Sequence, residues 1–339
     1  MKSITVNASG RYEIRLGAGI LPSLGTVAKR CVSGRRAMIV TDENVAPLYC
    51  GAAERSLKAA GFSVDSIVIP PGEESKSFPV YQAVCERLAA ERYSRSDFLV
   101  ALGGGVVGDL AGFAAATYLR GIALIQVPTT LLAMLDSSVG GKTGIDLSCG
   151  KNLVGAFWQP AAVIADTDLL STLPARELTG GRGEAVKYAL LDREIYRYFS
   201  AHGFDETFYA MCVAYKRDIV EADERESGCR KFLNLGHTVG HAVELLSGFT
   251  ESHGACVAKG LSFAADLSEK LGILESGREE IRSLLSSFDL SVPYLKRDLI
   301  AAIAHDKKAD GESVEFVLLR QIGAPVLVKK RLDEWEKLL

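Results

Sequence analysis

Apolar and polar positions along the chain fall into two textures. Up to about residue 175, short β-branched runs alternate with stretches of helical period. RRAMIVTD (35–42) predicts a strand ending in an acid, and 45–60 predicts a helix closed by Gly61. SVDSIVIP (63–70) predicts a second strand and FPVYQAVCERLAAER (78–92) a second helix. SDFLVALGGG (96–105) reads as a buried strand running into glycine, VVGDLAGFAAATYL (106–119) as a helix of small residues, and IALIQVPTT (122–130) as another strand. After Leu173-Pro174 helical periodicity dominates residues 176–305, as in FYAMCVAYKRDIVEADE (208–224) and HTVGHAVELLS (237–247). Near the end, Asp-Gly at 310–311 separates a helix from VEFVLL (314–319), which predicts a turn and a strand.

Strands alternating with helices of 10–15 residues imply βαβ units and a parallel sheet. The expected fold class is α/β: a Rossmann-like parallel-sheet domain over residues 1–175, then a mainly helical domain over 176–339. The length of 339 residues accommodates both. A composition 48% hydrophobic and 24% charged is that of a globular protein. The net charge of −3 offers no basic excess for nucleic acid or an anionic membrane surface. The N-terminal MKSITVNASGRYEIRLG alternates polar and apolar residues and lacks the apolar core of a signal peptide. No apolar run approaches the ~20 residues that span a bilayer. Seven cysteines, at 31, 50, 85, 149, 212, 229 and 256, are odd in number and form no C-x-x-C pair. That pattern fits reduced thiols and a cytoplasmic protein.

Several segments carry candidate chemistry. GGGVVGD (103–109) follows an apolar strand, and a glycine-rich strand-to-helix turn lets backbone approach a pyrophosphate at the helix N-terminus. The same turn also serves simply to join strand and helix. Asp42 sits where an acid bonds a ribose hydroxyl, or where it caps the helix before Val45. PGEESK (71–76) reads as a turn before a helix. QVPTTLLAMLDSSVGGKTGIDLSCGKN (126–152) is rich in Gly and Ser, so it predicts a functional loop rather than a buried core element. Its Lys142 and Lys151 suit phosphate or carboxylate oxygens, or a solvated surface. Glu184 and Lys187 in GEAVKYALL (183–191) are three apart and share a helix face, as part of a site or as a surface ion pair. His237 and His241 are one helical turn apart, but Thr238 excludes H-E-x-x-H. Two imidazoles with a carboxylate such as Glu184 would form a catalytic zinc site with an open position. Lys187, Lys216, Arg230, Lys307 and Lys308 add cations for a substrate with more than one negative group.

These segments, in this order over about residues 40–320, resemble the 3-dehydroquinate synthase family of sugar phosphate cyclases. GGGVVGDLAGF, PTTLLAMLDSSVGGKTGID, GKN, GEAVKYA, DERESGCRKFLNLGHTVGHA and DKK before a strand carry the likeness. The resemblance implies an active site in a cleft between a Rossmann-like and a helical domain. It implies NAD binding by Asp42, Glu73, Lys76, Gly104, Gly105, Val106, Asp109, Thr129, Thr130, Lys142, Lys151 and Thr172. Zinc, with Co2+ as a substitute, falls to Glu184, His237 and His253. Asp136, Lys142, Asn152, Lys187, Lys216, Arg230, Asn234, His241 and one of Lys307 or Lys308 would surround the substrate. Arg120 in YLRG would reach a neighbouring subunit, implying a homodimer.

The chain departs from the family at His253, which is usually followed by Gly-Glu-Ala-Val; here Gly254, Ala255 and Cys256 follow. Gly183 and Val186 also replace the family's usual neighbours of Glu184 and Lys187. The implied reaction is a carbon–oxygen lyase cyclisation of 3-deoxy-D-arabino-heptulosonate 7-phosphate: oxidation, β-elimination of phosphate, reduction, ring opening and aldol closure, with NAD regenerated. Rival readings are a glycerol-dehydrogenase-like alcohol dehydrogenase, betrayed by NADH accumulation with a polyol, another cyclase such as a 2-deoxy-scyllo-inosose synthase, and a non-catalytic scaffold, excluded by turnover.

Overall fold

The computed structural model describes residues 1–306 and 313–338. Two compact units divide the chain: residues 1–173 with Lys216–Glu224, and residues 174–215 with those from Arg225 onward.

The first unit is built on a seven-stranded sheet. Its strands are β1 (Lys2–Asn7), β2 (Arg11–Gly17), β3 (Arg36–Asp42), β4 (Ser63–Ile69), β5 (Phe98–Gly103), β6 (Ala123–Pro128) and, last in sequence, Ala162–Asp166. Between β6 and that strand come β7 (Lys142–Leu147) and β8 (Gly150–Phe157), a separate antiparallel ribbon, so Ala162–Asp166 is β9. The sheet order is β1-β2-β9-β6-β5-β3-β4, parallel throughout except for the β1–β2 hairpin. Helices α1 (Leu24–Cys31), α2 (Gly51–Ala59), α3 (Phe78–Ala90) and α4 (Gly105–Thr117) connect the strands. From β3 the chain runs out to β4, then returns to lay β5 on the other side of β3. The winding thus reverses between β3 and β5, and in open α/β sheets ligands bind beyond the carboxyl ends of such strands. Those ends are Asp42 and Gly103.

Burial explains the elements. All of β5 is buried, as a central parallel strand covered on both faces must be. Helix α4 is apolar nearly all round because it lies between the sheet and the β7–β8 ribbon. A Cβ at Gly112 would stand 2.3 Å from Thr143 Cγ2, so only glycine allows that approach. Met38, Val40, Leu99, Leu110, Phe113 and Leu124 form one core. The N-terminal alternation is a hairpin signal: Ile4, Val6, Tyr12, Ile14 and Leu16 are buried, and the polar residues between them are not.

One expectation is corrected. Segment 126–152 is not a loop but the end of β6, a helical turn at Ala133–Ser137, β7 and the start of β8. Leu131, Met134, Leu135, Val139 and Ile145 are buried. Gly140 and Gly141, at φ +94 and +68, turn the corner into the ribbon, whose cross-strand bonds satisfy the backbone.

The second unit holds α5 (Ala175–Leu191), α6 (Arg193–His202), most of α7 (Glu206–Ala222), α8 (His237–Leu246), α9 (His253–Lys270), α10 (Arg278–Leu285) and α11 (Lys296–Asp306). The hairpin β10 (Ser313–Gln321) and β11 (Ala324–Arg331) and helix α12 (Leu332–Leu338) complete it. Asp-Gly 310–311 lies outside the described residues. Trp335 pins the hairpin, its Nε1 donating to Val314 O at 2.9 Å. Helices α5 and α8 meet α9 backbone to backbone. A Cβ at Gly254 would stand 1.8 Å from Gly180 O, and one at Gly260 1.8 Å from Gly236 O. Among the described residues no helix is long and apolar enough to cross a membrane.

Candidate active site

In the first unit the strand-end residues gather around one buried cation. Lys76 ends the turn Glu73–Ser75, and its Nζ lies 2.9 Å from Asp109 Oδ2, 3.4 Å from Glu73 Oε1 and 3.9 Å from Asp146 Oδ1. It also donates to Asn152 Oδ1. Burial lowers the Lys76 pKa, but Asp109 and Glu73 more than reverse this, so the ammonium is held charged. Burial pushes the Asp109 carboxyl up, against the pull of Lys76. Lys151 Nζ stands 3.8 Å from Glu73 Oε1. Asn152, expected at the substrate, is therefore drawn to residues expected at the nucleotide. It adopts φ +56, and its N–H donates to Asp146 Oδ1 at 2.6 Å. Asp146 escaped the sequence reading because nothing local marks an acid in a ribbon as a partner of Lys76.

Around the glycine turn, Gly104 precedes α4 with no side chain capping the helix, which leaves its first N–H groups for an anion. Val106 lies in the first turn. A Cβ at Gly104 would stand 3.1 Å from Thr130 Cγ2, and one at Gly105 3.1 Å from Ser137 Oγ. The Thr129 N–H donates to Gly103 O at 2.9 Å, and Thr130 Oγ1 accepts from the Ala133 N–H at 3.2 Å. Asp42 Oδ1 accepts from the Asn44 and Val45 N–H groups at 2.9 and 3.0 Å, so it does cap the turn it precedes. Thr172 Oγ1 lies 2.5 Å from Tyr49 OH. Lys142 opens β7 with an exposed side chain. Buried Lys216 pairs with Asp136 and donates to its carbonyl at 2.6 Å. Arg120 is exposed in a turn where Leu119, Arg120 and Gly121 all have positive φ.

The second unit gathers the other set. Glu184 on α5 is fully buried, and Lys187 Nζ lies 2.5 Å from its Oε2. The pair is a core feature, not a surface bridge. His237 Nε2 and His253 Nε2 stand 3.2 and 3.3 Å from Glu184 Oε1. His237 opens α8 and its Nδ1 faces Leu235 O at 3.2 Å; His253 opens α9 and its Nδ1 faces Glu244 Oε2 at 3.1 Å. Burial raises the Glu184 pKa, yet Lys187 and His237 hold it well below the carboxylate range. Burial, opposed by Glu184, lowers His237 to about 4. For His253 burial is outweighed by Glu184 and Glu244, which raise it to about 10. Imidazole nitrogens converging on a carboxylate fit a divalent cation in ligand type. The ring nitrogens of His237, His241 and His253 lie within 4.8 Å of one another, so His241, expected at the substrate, joins the same group.

Arg230 is 2% exposed, in the turn Cys229–Asn234. A surface arginine is thereby ruled out. Asn234 Nδ2 donates to Glu226 Oε1 at 2.6 Å. Lys307 and Lys308 lie outside the described residues. Gly183, a departure from the family's usual neighbours, packs on α9: a Cβ there would stand 2.1 Å from Gly254 O. Glu244 is the residue that sequence reasoning missed. Its one signal was an acid among apolar residues on the helix of His237 and His241.

Residues 66–180 match the family description "3-dehydroquinate synthase N-terminal", and 181–309 match "3-dehydroquinate synthase C-terminal". A 3-dehydroquinate synthase of Acidithiobacillus ferrooxidans is 46% identical, over 96% of this chain and 94% of the relative. Among solved structures, a 2-deoxy-scyllo-inosose synthase complexed with carbaglucose-6-phosphate, NAD+ and Co2+ is similar with a TM-score of 0.89 and 28% identity, over 99% of both chains. A 2-epi-5-epi-valiolone synthase from Streptomyces hygroscopicus with NAD+ and Zn2+ bound is similar with a TM-score of 0.86 and 25% identity, over 99% of this chain and 97% of that one. The chain belongs to the 3-dehydroquinate synthase family.

Proposed function

We propose that this chain converts 3-deoxy-D-arabino-heptulosonate 7-phosphate to 3-dehydroquinate and phosphate, as a carbon–oxygen lyase that binds NAD and a divalent metal. The observation that carries the reading is Glu184, buried with two imidazole nitrogens at 3.2 and 3.3 Å, in a member of this family. Greater identity to a 3-dehydroquinate synthase than to a 2-deoxy-scyllo-inosose synthase supports the choice among cyclases. When bound, NAD would exchange a hydride with the substrate and zinc or cobalt would polarise a substrate hydroxyl as a Lewis acid.

The chain's own residues do the rest. Glu184, His237 and His253 hold the metal, and the Leu235 carbonyl at His237 Nδ1 turns Nε2 toward it. In the first unit the bare N-terminus of α4 receives a pyrophosphate, while Asp42, already spending Oδ1 on its turn, offers Oδ2 to a ribose hydroxyl. Lys187 and Arg230 in the second unit and Lys216 in the first are buried cations, each suited to a carboxylate or a phosphate of the substrate. Clamping both anionic ends fixes one reactive geometry. The exposed Arg120 turn serves the phosphate site of a second copy, so the working form is a homodimer, in the cytoplasm.

The test is phosphate release from the heptulosonate phosphate with substoichiometric NAD, with and without a chelator. Many turnovers per NAD, abolished by the chelator, are expected. One NADH accumulated per product would establish a dehydrogenase instead, and no phosphate release would overturn the assignment.

A further inference from the structure

We propose that Glu244 is a positioning residue for the metal: from α8 it orients His253 so that Nε2 faces Glu184 and His237. The inference rests on the reading that Glu184, His237 and His253 bind a divalent cation. His253 is the first residue of α9 and its side chain is one-third exposed, so packing does not enclose the ring on every side. Glu244 Oε2 lies 3.1 Å from its Nδ1, and Glu184 Oε1 lies 3.3 Å from its Nε2. A carboxylate on one imidazole nitrogen fixes the ring plane, directs the lone pair of the other outward and makes it a more basic ligand. His237 obtains the same service from the Leu235 carbonyl at 3.2 Å. One ligand is thus anchored by the backbone and the other by a side chain.

Glu244 is placed for this role. It follows His237 by seven residues on α8, two helical turns, which returns it to nearly the same face. It is 8% exposed and its neighbours Ala242 and Val243 are buried, an expensive setting for a carboxylate that only bonded partners make tolerable. The buried cation of α9, Lys259, pairs with Glu251.

The experiment is Co2+ binding by equilibrium dialysis, with the visible spectrum of the bound ion and the Tm of each protein. Wild type, His253→Ala, Glu244→Ala and Glu244→Gln are compared, with Glu244→Met as a volume-filling variant that accepts weakly at best. One Co2+ per chain is expected in wild type. Glu244→Ala and Glu244→Met should bind roughly 10–100-fold more weakly, with a changed spectrum. Glu244→Gln, which keeps an oxygen to accept from Nδ1, should recover most of the affinity; a purely structural role would move Tm alone. Unchanged affinity and spectrum in a folded Glu244→Ala or Glu244→Met overturn the inference and leave the metal site standing. Absence of Co2+ from wild type, or undiminished binding in His253→Ala, overturns the metal reading and the inference with it.

Discussion

In the first unit a buried ammonium, Lys76, lies among Glu73, Asp109, Asp146 and the amide oxygen of Asn152; in the second a buried carboxylate, Glu184, lies among one ammonium and two imidazole nitrogens. An ammonium has three protons to give, and around Lys76 there are acceptors for all of them. That cluster is satisfied by the protein alone. Around Glu184 the count runs the other way. Its Oε1 faces Nε2 of both His237 and His253 at 3.2 and 3.3 Å, so each contact needs a cation between the two atoms, a proton or a metal. The first arrangement is one that folding completes; the second is one that either a proton or a metal can complete. Exposure sharpens the contrast, because the Asp109 and Asp146 side chains are 20% and 18% exposed whereas Glu184 is sealed.

The largest effect should come from Glu184→Gln. It removes a ligand and leaves Lys187 buried without its carboxylate, costing about 3–5 kcal/mol and emptying the chain of metal. Elemental analysis and urea unfolding read both. Full metal content at unchanged stability would move the ligand set to His237, His241 and His253 and erase the contrast.

Next comes Arg230. Its planar fork matches a carboxylate as an ammonium cannot, so Arg230→Ala should lower kcat/KM roughly 30- to 5,000-fold, about 2–5 kcal/mol. Arg230→Lys should also be harmful, with metal content unchanged. Near-wild-type kinetics in both would remove the substrate carboxylate from the assignment.

Lys76→Met tests the self-satisfied cluster. It leaves Asp109 without its cation, but part exposure lets water recover some of the loss, so about 2–3 kcal/mol is expected. NAD affinity should fall while metal stoichiometry stays at one per chain. A simultaneous loss of metal would show that the two clusters are not independent.

The smallest effect serves as a control away from both clusters. Asp97 accepts from the Ser94 N–H at 2.8 Å, Ser94 Oγ at 2.7 Å and the Arg36 N–H at 3.1 Å. Burial raises its pKa, but these bonds bring it below the ordinary 3.8. With the folded value depressed, its stabilisation is present above the unfolded pKa and is lost as pH falls through the folded one. Asp97→Asn should therefore cost about 1 kcal/mol at pH 7, and the gap to wild type should shrink in acid. A gap independent of pH would mean the bonds hold both protonation states equally.

Legibility varied with how far apart the cooperating residues lie. Strands such as DFLVAL and the glycine turn after it are local signals, readable as period, apolar run and breaker. The β7–β8 ribbon was misread because Gly and Ser normally mark loops; its backbone is satisfied by a partner strand that composition does not reveal. Hairpin β1–β2 carried a clear alternation, overlooked as a structural sign. Glu244 carried almost none, since its meaning depends on where α9 places His253.

By itself the sequence determined the alternation of strand and helix, the glycines where backbones must touch, and the supply of imidazoles, carboxylates and cations, because these follow from period, side-chain size and chemical type. Only the tertiary structure decided that Asn152 turns to Lys76, that His241 joins His237 and His253, and that Glu244 backs His253. The physical reason is that a buried polar group must find partners within about 3 Å, and which groups meet at that range depends on helix crossings. Here those crossings are set by Gly180, Gly236, Gly254 and Gly260, where the backbones of α5 and α8 close onto α9 and bring Glu184 to its histidines.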